Sequence, residues 1–81
     1  MTVRVLFFSV LRDITGCDQT DLSCAPDATL GTLLQQLQDR WPALRDWDPS
    51  LLLAIDCDYA QRDAPLHPGC EVAIMPPVQG G

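Results

Sequence analysis

The last six residues of the chain are the part of the sequence whose residue types best suit chemistry. They read Pro-Pro-Val-Gln-Gly-Gly over residues 76–81. Pro76 and Pro77 hold φ near −65° and keep the preceding backbone extended, so the chain leaves its last strand as a directed arm. Gly80 and Gly81 have no side chain, so the final carboxylate can enter a channel too narrow for any other residue. The last four residues reach about 13 Å when extended, which suits delivery of a chain terminus into a pocket of another protein.

This reading divides the chain into a globular domain, residues 1–75, and a flexible arm, residues 76–81. The division is a hypothesis, because two terminal glycines occur by chance in roughly one chain in 200. The arm residues Val78 and Gln79 lie between the proline pair and the glycine pair. We expect all six residues to insert into the partner, with Gly81 as the reactive end.

Four cysteines are the other candidate nucleophiles or metal ligands. They show no C-x-x-C spacing and no accompanying histidine pattern, and they are too few for a disulfide scaffold. Reduced cysteines that pack as small apolar residues are the favoured interpretation, and zinc or a redox pair is the alternative. Reduced thiols favour a reducing compartment. These residues are Cys17, Cys24, Cys57 and Cys70.

Two aspartates and the single histidine complete the candidates. Asp56 and Asp58 are two residues apart, but no third carboxylate or histidine joins them at metal-ligand spacing, so a turn is favoured over a metal site. His67 stands in Leu-His-Pro-Gly, a turn sequence, without an evident partner. We therefore assign no metal site to the chain and no chemistry to His67.

Composition and charge narrow the possible partners. The 81 residues are enough for one domain, and 47% hydrophobic against 20% charged residues argues against disorder. The net charge is −6, and all five basic residues are arginines. An acidic chain without a basic cluster is a poor binder of nucleic acid or anionic membranes and is expected to meet a basic protein surface. The apolar run 5–11 is too short for a membrane span and lacks a cleavage site, so a cytoplasmic protein is predicted.

The first half of the chain predicts a hairpin followed by a helix. Residues 2–9 read as a strand that alternates between an inner face and an outer face marked by Arg4. A turn around Gly16 leads to a weaker strand at residues 19–24. Thr29 is the expected N-cap of a helix that ends at Pro42. Its apolar stripe has helical spacing and is expected to form the core: Leu30, Leu33, Leu34, Leu37 and Trp41.

The second half predicts three further strands. Residues 42–50 read as a connection with at most one helical turn, in which Trp47 covers the edge of the core. Strands are expected at residues 51–56, at 59–61 and at 70–75. One helix covers one face of a sheet, yet the other face keeps apolar residues, which marks a partner surface. We expect Phe8, Tyr59 and Met75 to form this docking patch beside the arm.

The whole chain resembles the small, sulfur-carrying subunits of molybdopterin synthase, which are ubiquitin-like β-grasp proteins. The resemblance rests on the opening Val5-Leu6-Phe7-Phe8, on Leu11-Arg12-Asp13-Ile14, on Pro68-Gly69-Cys70-Glu71-Val72 and on the Pro-Pro-Val-x-Gly-Gly ending. It implies an α+β fold: a mixed sheet of 4–5 strands, one main helix on one face and an extended C-terminal tail. This chain departs from the family at Asp56-Cys57, where Asn-Gly is common, and at Gly69-Cys70, where Gly-Asp is usual.

The resemblance also implies a function. An ATP-dependent activating enzyme would adenylate Gly81, and sulfur transfer would leave a thiocarboxylate there. The arm would insert into the large synthase subunit, in a heterotetramer of two small and two large subunits, and donate sulfur to cyclic pyranopterin monophosphate. The chain itself would bind no cofactor, and the catalytic pocket would belong to the large subunit. The alternatives are a related carrier for thiazole or cysteine synthesis, and a non-catalytic ubiquitin-like interaction module.

Overall fold

A five-stranded mixed sheet organises the protein. The computed structural model describes residues 1–77. The elements, in chain order, are β1 (Thr2–Phe7), α1 (Val10–Thr15), β2 (Gln19–Ser23), α2 (Leu30–Arg40), two 3-10 helices (Pro42–Asp46 and Asp48–Ser50), β3 (Leu52–Ile55), β4 (Asp58–Tyr59) and β5 (Glu71–Met75). The strand order is β2-β1-β5-β3-β4. β1 and β5 run parallel, and the other neighbouring pairs are antiparallel.

The main helix, α2, begins and ends where the sequence predicts. The side chain of Thr29 accepts a hydrogen bond from the Thr32 N–H, and the Thr32 hydroxyl accepts one from the Thr29 N–H, which forms a capping box. The helix ends at Arg40, just before Pro42, because proline has no N–H for the next helical bond. Four leucines of the predicted stripe are buried, and they are Leu30, Leu33, Leu34 and Leu37.

The core lies between α2 and the inner face of the sheet. Strand alternation places Phe7 and Ile74 on that face, and both are essentially inaccessible to solvent. The Phe7 ring meets the Trp41 ring edge to face, with centroids 5.5 Å apart. Trp47 packs against the margin of this core, as predicted. Each fully buried side chain of this size contributes about 1.5–3 kcal/mol relative to an exposed one, so α2 and the sheet are held together mainly by apolar burial.

The segment after β1 differs from the sequence prediction. β1 ends at Phe7 rather than at Ser9, because Ser9 adopts φ 58° and ψ −132° and the Leu11 N–H donates to the Phe8 carbonyl (3.1 Å). This tight turn starts α1, which was not predicted; the single-helix prediction was therefore wrong, although α2 is the main helix. α1 has only six residues and one buried side chain, so it gives no periodic signal. The only cue was Gly16, whose left-handed φ of 76° closes the helix.

The remaining strands are shorter than predicted. β3 covers four residues, and β4 covers only Asp58–Tyr59, because Asp56 and Cys57 form the turn with φ of 50° and 73°. Two consecutive positive φ values between antiparallel strands are typical of a type I′ turn. The turn interpretation of this segment is therefore confirmed. The connection before β3 contains two 3-10 helices where one helical turn was expected.

All four cysteines are free. Cys24 and Cys70 are buried in the core, which confirms the interpretation of these two as small apolar residues. Burial raises the pKa of the Cys24 thiol and thus keeps it protonated. Cys57 is exposed in the β3–β4 turn instead. Across residues 1–77, none of the helices has both the length and the apolar character that a membrane crossing requires.

Candidate functional site

The arm starts at the centre of the sheet. β5 lies between β1 and β3, and its last residue, Met75, pairs with Leu52 of β3. Pro76 and Pro77 follow directly and are partly buried. Because the central strand is hydrogen-bonded on both sides, the root of the arm is fixed on a rigid element. The predicted insertion residues Val78, Gln79 and Gly80 and the predicted reactive residue Gly81 lie outside the described residues.

The outer face of the sheet is apolar next to this root. Directly paired residues share a face of the sheet, so the strand registers place Leu6, Ala73, Ala54 and Tyr59 in one row across four strands. A second row, closer to the arm, contains Met75 and Leu52. Phe8 follows the last residue of β1, one position beyond the Phe7–Ile74 pair, so strand alternation assigns it to the same face as Met75. The rows form a continuous apolar surface at the arm end of the sheet.

The three predicted docking residues occupy different parts of this surface. Phe8 is 42% exposed and Tyr59 is 77% exposed, and they are the large exposed apolar side chains of the described chain. Phe8 directly follows β1, and Met75 is the last residue of the neighbouring strand β5. Tyr59 lies on the edge strand β4, three strand spacings or about 14 Å from the line of β1. The structure therefore places all three on one face, with Tyr59 at its margin; their role in docking stays a prediction.

The far end of the outer face is charged. Asp21, Arg4 and Glu71 form a row across β2, β1 and β5, and the Arg4 Nε atom lies 3.8 Å from an Asp21 carboxylate oxygen. Since β1 and β5 are parallel, this row and the arm lie at opposite ends of the same strands. The outer face thus changes from polar to apolar in the direction of the arm, and only its apolar half offers area for hydrophobic docking.

Comparison with known protein families then identifies the fold and the family. The family model described as "ThiS family" matches residues 5–81. The chain belongs to the ThiS family. The match includes the apolar half of the outer face and all six residues of the arm. The ubiquitin-like β-grasp fold expected from the sequence is confirmed.

Individual relatives of this ThiS-family chain agree with the assignment. The "Molybdopterin synthase sulfur carrier subunit" of Escherichia coli K12 is 40% identical, and the alignment covers 98% of this chain and 99% of the relative. Among solved structures, SAMP1 from Haloferax volcanii superposes with a TM-score of 0.87 at 26% identity, with each chain covered in full. A chain in the complex of subunits 1 and 2 of molybdopterin-converting factor from Helicobacter pylori has a TM-score of 0.69 at 23% identity, again with full coverage of both chains. This last likeness concerns the fold.

The ThiS-family chain also contains a polar cluster that the sequence did not reveal. The Nε2 atom of His67 lies 2.7 Å from Asp56 Oδ2, and Asp56 Oδ1 accepts a hydrogen bond from the Glu71 N–H at 3.0 Å. The interpretation of His67 as a histidine without a partner was therefore wrong. Eleven residues separate it from Asp56, and only the folded sheet brings the two side chains together.

Hydrogen bonding shifts the pKa values of both Asp56 and His67. The hydrogen bond from the Glu71 N–H is the main cause that lowers the pKa of Asp56, and the hydrogen bond with His67 is the second. Both lower it because they stabilise the carboxylate. The hydrogen bond with Asp56 is the main cause that raises the pKa of His67, and the hydrogen bond with the Pro68 carbonyl is the second. Both stabilise the imidazolium. The cluster fastens the β3–β4 turn to the start of β5, at the charged end of the sheet and away from the arm. Its role is therefore to stabilise the fold, and it takes no part in the chemistry of the arm.

Within residues 1–77 no group of three or more potential metal ligands is assembled. What the described chain provides is a rigid origin for the arm and an apolar surface around that origin. Such an arrangement can bind a partner and position a chain end. The chemistry then depends on the arm and on groups supplied by other proteins.

Proposed function

We propose that this protein is the sulfur carrier subunit of a molybdopterin synthase. The observation that carries the proposal is the full-length similarity to sulfur carrier subunits, combined with a ThiS-family match that extends to residue 81. The central position of β5 supports it, because a carrier needs its reactive end on an element that docking can position.

The first step is activation of Gly81. A C-terminal carboxyl group has a pKa of about 3.5, so it is ionised at neutral pH and is a poor electrophile. An ATP-dependent activating enzyme overcomes this: a carboxylate oxygen attacks the α-phosphate, pyrophosphate leaves, and an acyl-adenylate forms. Sulfur at the sulfide oxidation level then attacks the acyl carbon as the nucleophile, AMP leaves, and loss of the sulfur-bound proton gives a thiocarboxylate at Gly81. ATP is thus a substrate of the partner enzyme, and this chain binds no cofactor.

The second step is sulfur transfer. The arm, from Pro76 to Gly81, inserts into the large subunit, where the thiocarboxylate sulfur attacks a carbon of cyclic pyranopterin monophosphate and the oxygen substituent of that carbon departs as the leaving group. Water then attacks the acyl carbon, the acyl C–S bond breaks, and the carboxylate is restored. A dithiolene contains two sulfurs, so two carriers are consumed for each product. The general acids and bases belong to the large subunit, in a heterotetramer of two small and two large subunits located in the cytoplasm.

Docking supplies most of what this chain contributes to catalysis. Well-oriented intramolecular reactions reach effective concentrations of roughly 10⁵–10⁸ M, and a rigid arm root makes use of this effect. The apolar surface around Phe8, Tyr59 and Met75 is the proposed contact with the large subunit. The net charge of −6 favours a partner whose contact surface is basic, since complementary charge speeds encounter.

The test is intact mass analysis followed by reconstitution. After co-expression with the activating enzyme encoded in the same genome, the chain is expected to gain the mass of one oxygen-to-sulfur exchange, located at Gly81 by fragmentation. Mixed with the large subunit and cyclic pyranopterin monophosphate, the thiolated chain is expected to yield a dithiolene. A chain lacking Gly81 is the matched control: it should fold and melt normally but stay unmodified.

Two results would contradict the proposal. An end that stays unmodified under every activating condition would favour a binding module. A thiolated chain that supplies sulfur to a thiazole or cysteine synthase, but not to the large subunit, would favour a related carrier.

A further inference from the structure

A groove opens at the edge of the sheet, next to the proposed docking surface. Its walls are residues 51–53 and residues 59–62, and its volume is about 600 Å³. We call it the edge groove. Leu52 and Tyr59 belong both to its walls and to the outer face, so the edge groove continues the apolar surface that surrounds the arm. Leu52 also pairs with Met75 at the root of the arm.

The backbone beside the edge groove is open to pairing. Within residues 1–77, β4 is the last strand in the sheet order and is hydrogen-bonded on one side only, to β3. The Ala60 N–H donates to the Leu53 carbonyl at 2.9 Å. Because the amides of successive residues point to opposite sides of a strand, the Tyr59 amide faces the open edge. The same alternation, continued one residue past the Ala60–Leu53 bond, turns the Gln61 amide to that edge. An exposed edge with free amides is a template for an additional strand.

The charges around the edge groove indicate the chemistry of its occupant. The guanidinium of Arg62 lies 2.7 Å from an Asp48 carboxylate oxygen, so this cation is already paired. Asp58 and Asp63 are exposed on either side of the 59–62 wall. The local surface is therefore apolar in the groove and acidic beside it. An extended segment that alternates apolar and basic residues would complement both features.

We propose that the edge groove binds such a segment of the large subunit, which adds to β4 as a sixth strand and seats an apolar side chain against Leu51 and Ala60. The inference rests on the proposed function in taking the large subunit as the partner. It adds a second contact that is separate from the arm: main-chain hydrogen bonds to Tyr59 and Gln61 fix the orientation of the sheet, while the arm provides the reaction. The same contact accounts for the position of Tyr59 at the margin of the outer face.

Hydrogen exchange tests the added strand directly. The amides of Tyr59 and Gln61 are expected to exchange rapidly in the free chain and at least tenfold more slowly in the complex with the large subunit. β2, the opposite edge strand, is the internal control, and its open-edge amides should not change. A complex that forms while Tyr59 and Gln61 remain unprotected would overturn the proposal. Protection that develops in the free chain as its concentration rises would assign the groove to a second copy and overturn it equally.

A matched pair of variants tests how much the added strand contributes to the affinity for the large subunit. Gln61→Pro removes an amide that faces the open edge, but it keeps the carbonyl that accepts from the Ala64 N–H (3.0 Å), and proline is tolerated on an edge strand. Gln61→Ala keeps the amide. We expect Gln61→Pro to weaken binding to the large subunit about tenfold, and Gln61→Ala to bind like the wild type, with unchanged melting of both.

Equal affinity of the two Gln61 variants would overturn the inference and leave the proposed function intact. Failure of the proposed function has a different signature, because the wild-type chain itself would then form no complex with the large subunit.

Discussion

Substitutions at two adjacent residues of β5 are expected to have opposite effects: one should lower the stability of the fold, and the other should weaken partner binding. Ile74 is fully buried and pairs with Phe7 and Leu53 on the inner face of the sheet, whereas Met75 is partly exposed on the outer face. Ile74→Val removes one buried methylene group and should cost about 0.5–1.5 kcal/mol. In a domain of this size each kcal/mol lowers Tm by about 4–8 °C, so the expected decrease is about 2–12 °C. Affinity for the large subunit should hardly change.

Met75→Ala should have the opposite profile. The side chain lies partly exposed on the outer face, so the free energy of unfolding should change by less than about 1 kcal/mol, as is usual for a side chain outside the core. Loss of a central apolar contact should weaken the complex by about tenfold, which corresponds to about 1.4 kcal/mol. Thermal unfolding by circular dichroism and titration calorimetry measure the two quantities.

The reasoning fails if both variants lose stability equally, or if Met75→Ala binds as tightly as the wild type. Leu34→Val is a suitable control, because it removes a methylene group from the core on the α2 side and leaves the outer face of the sheet unchanged. It should behave like Ile74→Val in both assays.

Three further predictions concern local backbone and charge. Cys57→Gly should raise the free energy of unfolding by about 1 kcal/mol, because the residue has φ of 73° in the β3–β4 turn, and chemical denaturation measures this. Ser9→Gly should stabilise by a similar amount for the same reason, with φ of 58°, and an unchanged or lower melting temperature would argue against strain at this turn. His67→Gln should lower stability most between pH 4 and pH 6.5, roughly the ordinary pKa values of Asp and His. The raised pKa of His67 makes the pair stabilising while the imidazole is charged, and this contribution is lost as pH rises through that pKa; it is also lost in acid, as pH falls through the lowered pKa of Asp56. Parallel stability curves for variant and wild type from pH 4 to pH 9 would contradict the role of the pair.

The sequence predicts those elements whose patterns are long enough to repeat. α2 has a cap and four leucines at helical spacing, and β1 and β5 alternate over their full length, so both faces of the central strands were assigned correctly. α1 was missed because a single buried leucine cannot establish a period. The helix depends instead on the turn at Ser9 and on the cap at Gly16.

The features of the candidate site likewise fall into those that a local sequence pattern predicts and those that it does not. The outward positions of Phe8 and Met75 follow from alternation alone, which is a local property. The His67–Asp56 pair and the edge groove depend on contacts between segments distant in sequence, and no local pattern encodes them. The roles of the arm residues follow from the resemblance to the carrier family, since residue types indicate a narrow, unhindered end but do not name the reaction.

The parallel pairing of β1 and β5 has a practical consequence for attaching the protein to other molecules. Because both strands point the same way, Met1 lies at the end of the sheet opposite to Met75, about 23 Å away along seven residues of strand. A reporter domain or solid support joined ahead of Met1 would convert the amino group, which donates to the Cys24 carbonyl at 2.7 Å, into an amide that still carries one N–H. The reciprocal bond from the Cys24 N–H to the Met1 carbonyl would remain. Immobilisation through this side therefore leaves the opposite end of the molecule facing the solution.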